Sequence, residues 1–148
     1  MQQVRAEMPH ISYPALLWRE GYIYLATTPL SLCAYPRSLF NEAVQRARNG
    51  EFHLVDADGR YYDIVDLTVI PPFGGLKSIP YRLLWSIFSV PVLANESKLS
   101  VPKFKMTVAC AVRGRYRYDT DKYPAVQAVR KLRAAESYRA AIDAVPKL

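Results

Sequence analysis

Apolar and polar positions follow two different periods along the chain, and the switches between them mark out its elements. Ala15-Leu16-Leu17-Trp18 and Tyr22-Ile23-Tyr24-Leu25-Ala26 are apolar runs separated by Arg19-Glu20-Gly21. Aromatic and β-branched runs around a short glycine-containing turn predict a β-hairpin. Leu30 to Tyr35 either continues the sheet or forms an irregular connection. From Pro36 the period becomes helical: Leu39, Phe40, Ala43, Val44 and Ala47 recur at i, i+3, i+4 spacing through about Arg48, and Asn49-Gly50 supplies the stop. Phe52-His53-Leu54-Val55 and the run from Tyr61 to Val69 flank Asp56-Ala57-Asp58-Gly59, the clearest local signal in the chain. Asp and Gly at those offsets make a tight hairpin turn, with Gly59 free to adopt a positive φ. Pro71-Pro72-Phe73-Gly74-Gly75 then ends the strand in a loop.

Beyond that loop the pattern is less decisive. Ser78 as N-cap and Pro80 in the first turn predict a helix with Tyr81, Leu84, Trp85 and Phe88 on one face, a strand being the alternative. Val90 to Ala94 reads as a short strand that Pro91 pushes to an edge. Over 103–113, Phe104, Met106, Val108, Cys110 and Val112 alternate with Lys105, Thr107, Ala109, Ala111 and Arg113. That is the period of a half-buried strand, the reading preferred here, although Phe104, Val108 and Ala111 also fit a helix capped by Ser100. Pro124 to Val145 is rich in helix formers. Val126, Val129 and Leu132 share one face, as do Tyr138, Ile142 and Val145, in one long helix or in two with Ser137 capping the second. The expected architecture is α+β: an antiparallel sheet with helices packed on one face and a C-terminal helix or helix pair. It is expected as a single globular domain over 1–148, with 1–13 as an irregular N-terminal arm.

Composition narrows the class. A chain of 148 residues with 51% hydrophobic and 22% charged residues has enough apolar content to fold without a metal or disulfide. Met1 to His10 lacks the apolar core of a signal peptide, and no apolar stretch approaches the ~20 residues that cross a bilayer. Cys33 and Cys110 match no metal or redox spacing, so two buried thiols in a reducing cytoplasm are expected. The net charge of +7 is uneven. Residues 1–97 hold eight Lys/Arg against nine Asp/Glu, whereas 98–148 hold twelve against four. A basic C-terminal third is the footprint expected for an acidic partner or nucleic acid.

No catalytic or cofactor signature accompanies this charge. Asp56, Asp58, Asp63 and Asp66 are dense and His53 is near them, but a calcium loop beginning at Asp56 would have Arg60 at its fifth place and Leu67 at its twelfth. His10 and His53 lie in no zinc spacing with the cysteines. Pro72 to Ser78 lacks the contiguity of a phosphate loop. Only a pocket with convergent carboxylates near His53 would point to an enzyme. Arg113-Gly114-Arg115-Tyr116-Arg117-Tyr118 interleaves Arg with Tyr, and Arg130, Lys131, Arg133 and Arg139 follow on the predicted helix. On a strand, Arg113, Arg115 and Arg117 would share one face and Tyr116 and Tyr118 the other. Eleven Tyr and two Trp add residue types that anchor protein interfaces.

Three segments resemble small immunity proteins of bacterial toxin systems: Trp18 to Leu25, Leu54 to Ile64, and Ala135 to Ile142. The resemblance implies a bacterial, cytoplasmic, non-enzymatic protein that binds and neutralises a toxin. Many immunity proteins that block nucleases are acidic, so the basic charge here implies a partner with an acidic face. The expected function is therefore protein binding with no cofactor and no metal. Arg113, Arg115, Tyr116, Arg117 and Tyr118 are the leading contact residues, with Arg60 and Tyr62 beside them, and the alternative is nucleic-acid binding through the basic C-terminal third.

Overall fold

A computed structural model describes residues 10–19, 22–70, 86–115 and 123–145. The two N-terminal apolar runs form β1 (Ala15–Arg19) and β2 (Tyr22–Ala26), paired antiparallel with Trp18 opposite Ile23. Leu30 to Tyr35 resolves into a short helix α1 (Pro29–Cys33), closed by a Thr28/Ser31 capping box, and a three-residue strand β3 (Ala34–Pro36). Helix α2 (Arg37–Arg48) starts after Pro36 and stops where Gly50 takes φ +76°. It buries Phe40, Ala43 and Ala47, the apolar stripe expected from its sequence.

The Asp56–Gly59 turn joins β4 (Phe52–Val55) to β5 (Arg60–Val69), and Gly59 adopts φ +81°. Asp56 organises this turn. Its Oδ1 accepts from the Asp58 and Arg60 amides at 2.9 and 3.0 Å, and its Oδ2 accepts from the Ser12 amide at 3.3 Å. The carboxylate can therefore be fully buried, since its hydration is replaced by backbone donors. Ser12 and the buried Ile11 tie the irregular segment before β1 to the domain.

Strand β6 (Ser86–Lys98) is longer than the five residues expected, and Phe88 lies on it rather than on a helix. Tyr81, Leu84 and Trp85, with the Pro71–Gly75 loop, fall outside the described residues. Strand β3 pairs only with Ser86–Phe88 of β6, so Pro91 lies where β6 has a single neighbour, β5. A residue without an amide donor is tolerated there. Opposite Tyr61 and Asp63 the register slips by one residue, and Asn95 takes φ +57°. Such a bulge re-aims the side chain it carries.

Residues 103–113 are not a strand. They belong to helix α3 (Val101–Arg115), which buries Phe104, Val108, Ala111 and Val112 at i, i+4, i+7, i+8 and exposes Met106 and Cys110. The alternation was produced by those two exposed soft residues. Ser100 receives the Lys103 amide at 3.4 Å, as the helical alternative required. The C-terminal segment is two helices, α4 (Tyr123–Ala134) and α5 (Tyr138–Asp143), with Ser137 capping the second through the Ala140 amide at 3.1 Å. On α4 the core face is Ala125, Ala128 and Leu132, while Val126 points outward. Tyr138, Ile142 and Val145 meet the core as expected.

The six strands run β2-β1-β4-β5-β6-β3, all pairs antiparallel, so the fold is α+β as the sequence predicts. Strand alternation sends Leu16, Ile23 and Val55 to one face, under α3, α4 and α5. Leu17, Leu54, Tyr62 and Ile64 face the other side, against α1 and α2. The C-terminal helices thus cover one face as expected, and α2 adds a helix on the opposite face.

Candidate functional site

Of the sequence-predicted contact residues that are described, Arg113 and Arg115 lie on α3, whereas Arg60 and Tyr62 lie on β5. Arg113 is exposed in the last turn of α3, and Arg115 is half-buried at its end. Two positions apart on a helix, they diverge by about 200° rather than sharing a strand face. Tyr116, Arg117 and Tyr118 lie outside the described residues. Arg60 is on the sheet, 3.7 Å from Asp56 and 3.9 Å from Asp58, and so is engaged by its own turn. Tyr62 is a core residue, with its hydroxyl donating to Glu96 Oε1 at 3.2 Å.

Arg113 instead belongs to a surface built by α3 and α4. A groove of about 380 Å³ runs between these helices, with Met106, Ala109, Val129 and Leu132 as its floor. Lys105, Arg113 and Arg133 rim it, and among the described residues no carboxylate lines it. Lys105 has a structural task as well, donating to the Arg133 and Ala135 carbonyls at 3.0 and 2.9 Å and so closing the C-terminus of α4. Arg113 and Arg133 form no ion pair among the described residues. Met106 is 68% exposed, the largest apolar side chain left uncovered there.

Cys110 also lines the groove, and its exposure corrects the expectation of two buried thiols. It sits on the solvent side of α3, opposite the buried Val108 and Val112. Cys33 is buried against the other core, where desolvation pushes its thiol up to about 12. Iodoacetamide at neutral pH should therefore modify Cys110 and spare Cys33, because the thiolate is the nucleophile. Intact mass spectrometry checks this: the folded chain should gain one adduct, and the unfolded chain a second.

On the other side of α3, Met106 and Cys110 also border a cleft of about 520 Å³ between this helix and the sheet. Its floor is a networked histidine. The hairpin register places His53 opposite Asp63, with Nδ1 2.9 Å from Asp63 Oδ1. The Tyr61 hydroxyl lies 2.8 Å from the same nitrogen and donates to Asp63 Oδ1 at 3.1 Å. Asn95, re-aimed by the bulge, donates to Asp63 Oδ2 at 2.9 Å. Trp18 packs on both rings, with centroids 5.5 Å from His53 and 6.0 Å from Tyr61.

The charges of this cluster are fixed by its surroundings. Burial opposes ionisation of Asp63, but the hydrogen bonds from Asn95, His53 and Tyr61 outweigh it and hold the carboxyl below its usual range. Burial raises Tyr61 to about 12, with help from its bond to Asp63 and that group's charge, so its hydroxyl remains a donor. Two acceptors would repel at 2.9 Å, so His53 Nδ1 carries a proton directed at Asp63 Oδ1.

The cluster was partly visible in the sequence. Counting outward from the Asp56–Gly59 turn pairs position 55 with 61 and position 53 with 63. What the sequence lacked was α3, whose position creates the cleft. Asp56, Asp58 and Asp66 do not converge with Asp63 on His53, and among the described residues no three metal-ligating side chains come together. No helix among the described residues is long and apolar enough to cross a membrane. Comparison with protein-family models, curated proteins and solved structures returns no match.

Proposed function

We propose that this domain is a non-enzymatic binding protein that receives an acidic segment of another protein in the groove between α3 and α4. The observation that carries the reading is the composition of that groove among the described residues: an apolar floor, three cations at the rim and no carboxylate. Apolar anchoring supplies affinity, while the rim charges select and steer an acidic partner. An adaptable, exposed methionine suits such a surface. The specific form we favour is an immunity-type protein acting in the cytoplasm against a toxin with an acidic face, and the resemblance of the three sequence segments supports it.

The same cations favour nucleic acid as a second reading. Against it, the groove lining among the described residues has no aromatic side chain on which a base could stack.

The test is retention of a partner from host lysate by the tagged chain, with and without nuclease and at low and high salt, in parallel with an Arg113→Glu/Arg133→Glu variant. A single protein should be retained through nuclease and salt. The double reversal should weaken its affinity by about ten- to a hundredfold, as expected for opposing two interface charges. Equal affinity of both forms would remove the groove from the interface. Loss of the bound material with nuclease would replace the protein partner by nucleic acid.

A further inference from the structure

We infer that the cleft beneath α3 is a separate small-molecule site, and that its ligand is a flat aromatic carboxylate with a hydrogen-bond donor on the ring. The argument starts with what the cleft walls can still offer. Both Asp63 oxygens are occupied, Oδ1 by His53 and Tyr61 and Oδ2 by Asn95. Thr107 donates its hydroxyl to the Lys103 carbonyl at 3.0 Å. Among the described residues no acidic side chain lines the cleft, and Lys103, which does line it, forms no ion pair there. A cation without its anion at the edge of a cleft selects a carboxylate.

The ring requirement comes from the opposite wall. Trp18 and Tyr61 present aromatic surface, and Leu99 and Met106 close the apolar part. A volume of about 520 Å³ lies in the range of ordinary ligand sites. His53 Nε2 sets the third requirement. With Nδ1 committed to Asp63 and Tyr61, Nε2 is the ring nitrogen left for a ligand, and a ligand N–H or O–H selects the imidazole form in which it accepts. Because Asp63 and Asn95 hold the imidazole in place, little conformational freedom is lost on binding.

Indole-3-acetate contains all three features and serves as the probe. Indole-3-acetamide removes the charge, and benzofuran-3-acetate removes the ring donor. Titration of the full chain by calorimetry is paired with the imidazole proton resonances. With only two histidines in the chain, a His10→Gln variant assigns the His53 signal. Indole-3-acetate should bind saturably and move that signal. Each analogue should bind about tenfold more weakly or worse, as should Lys103→Met and His53→Gln variants whose folding is verified by circular dichroism. Arg133→Glu, which alters only the neighbouring groove, should leave the affinity unchanged, so the cleft and the groove succeed or fail separately. Equal binding of acid and amide, or an unmoved His53 signal at millimolar probe, would overturn the inference. So would a probe that responds to Arg133→Glu and ignores Lys103→Met.

Discussion

Replacing Phe104 with alanine should lower the unfolding free energy by about 3–5 kcal/mol, a large part of the roughly 5–15 kcal/mol that holds a domain folded. Phe104 is fully buried and is the largest side chain that α3 contributes to the core. Its ring meets Tyr138 edge-on, with centroids 5.2 Å apart, so its removal leaves a cavity and also frees α5. Those two elements have few ways to collapse into the space, because Val108, Ala111 and Ile142 around it are themselves buried and packed. The denaturant midpoint of the variant measures the effect. A loss below about 1 kcal/mol would mean that α3 is anchored elsewhere, since even a single buried methyl group costs nearly that much.

The Gly59→Ala substitution should be nearly as damaging, at roughly 3 kcal/mol, for two additive reasons. An alanine at φ +81° costs about 1–2 kcal/mol for its left-handed conformation. A Cβ at this position would also stand 2.3 Å from Tyr138 Cε1 and 2.6 Å from Cζ, so the ring must move. It cannot move freely, because its hydroxyl donates to the Leu99 carbonyl at 2.6 Å and the Leu99 amide donates to Gly59 itself at 2.9 Å. Overpacking of this kind costs about 1–3 kcal/mol. For a chain of this size the sum corresponds to a fall in Tm of roughly 6–12 °C. Gly50→Ala is the internal control. Gly50 has a similar φ of +76° with nothing within 4 Å of the added carbon, so that variant bears the conformational cost alone. Equal Tm shifts for the two variants would show that Tyr138 does not press on Gly59.

Local chemistry made most of the sheet legible. The β4–β5 turn needed Asp56 to satisfy two amides and Gly59 to turn left-handed, and both requirements are visible in four residues. Helix α2 was equally plain, since it combines a periodic apolar stripe with its own stop, whereas the sequence allowed one long C-terminal helix or two, and the structure takes the second, with Ser137 as cap. Helix α3 was misread because Met106 and Cys110, apolar but exposed, completed a false period of two. On α4 the expected valine face gave way to alanines, because a helix packed closely against α3 and α5 has room for small side chains. These two errors bear directly on the candidate sites. The groove and the cleft both flank α3, so neither could be located until that segment was a helix. Arg113 was recognised as a surface cation without that knowledge, but its partner across the groove, Arg133, acquires its role only from tertiary packing.

The division of the interior into two cores also orders events during synthesis. Among the described residues, the core against α1 and α2 draws on positions from Ile11 to Leu93. The other core needs Leu99 to Val145 to cover Leu16, Ile23 and Val55. A nascent chain emerging from the ribosome can therefore complete its first core while the reverse side of the sheet is still bare. Until α5 has followed, that side is a greasy, half-built surface of the kind that chaperones hold and that aggregates recruit.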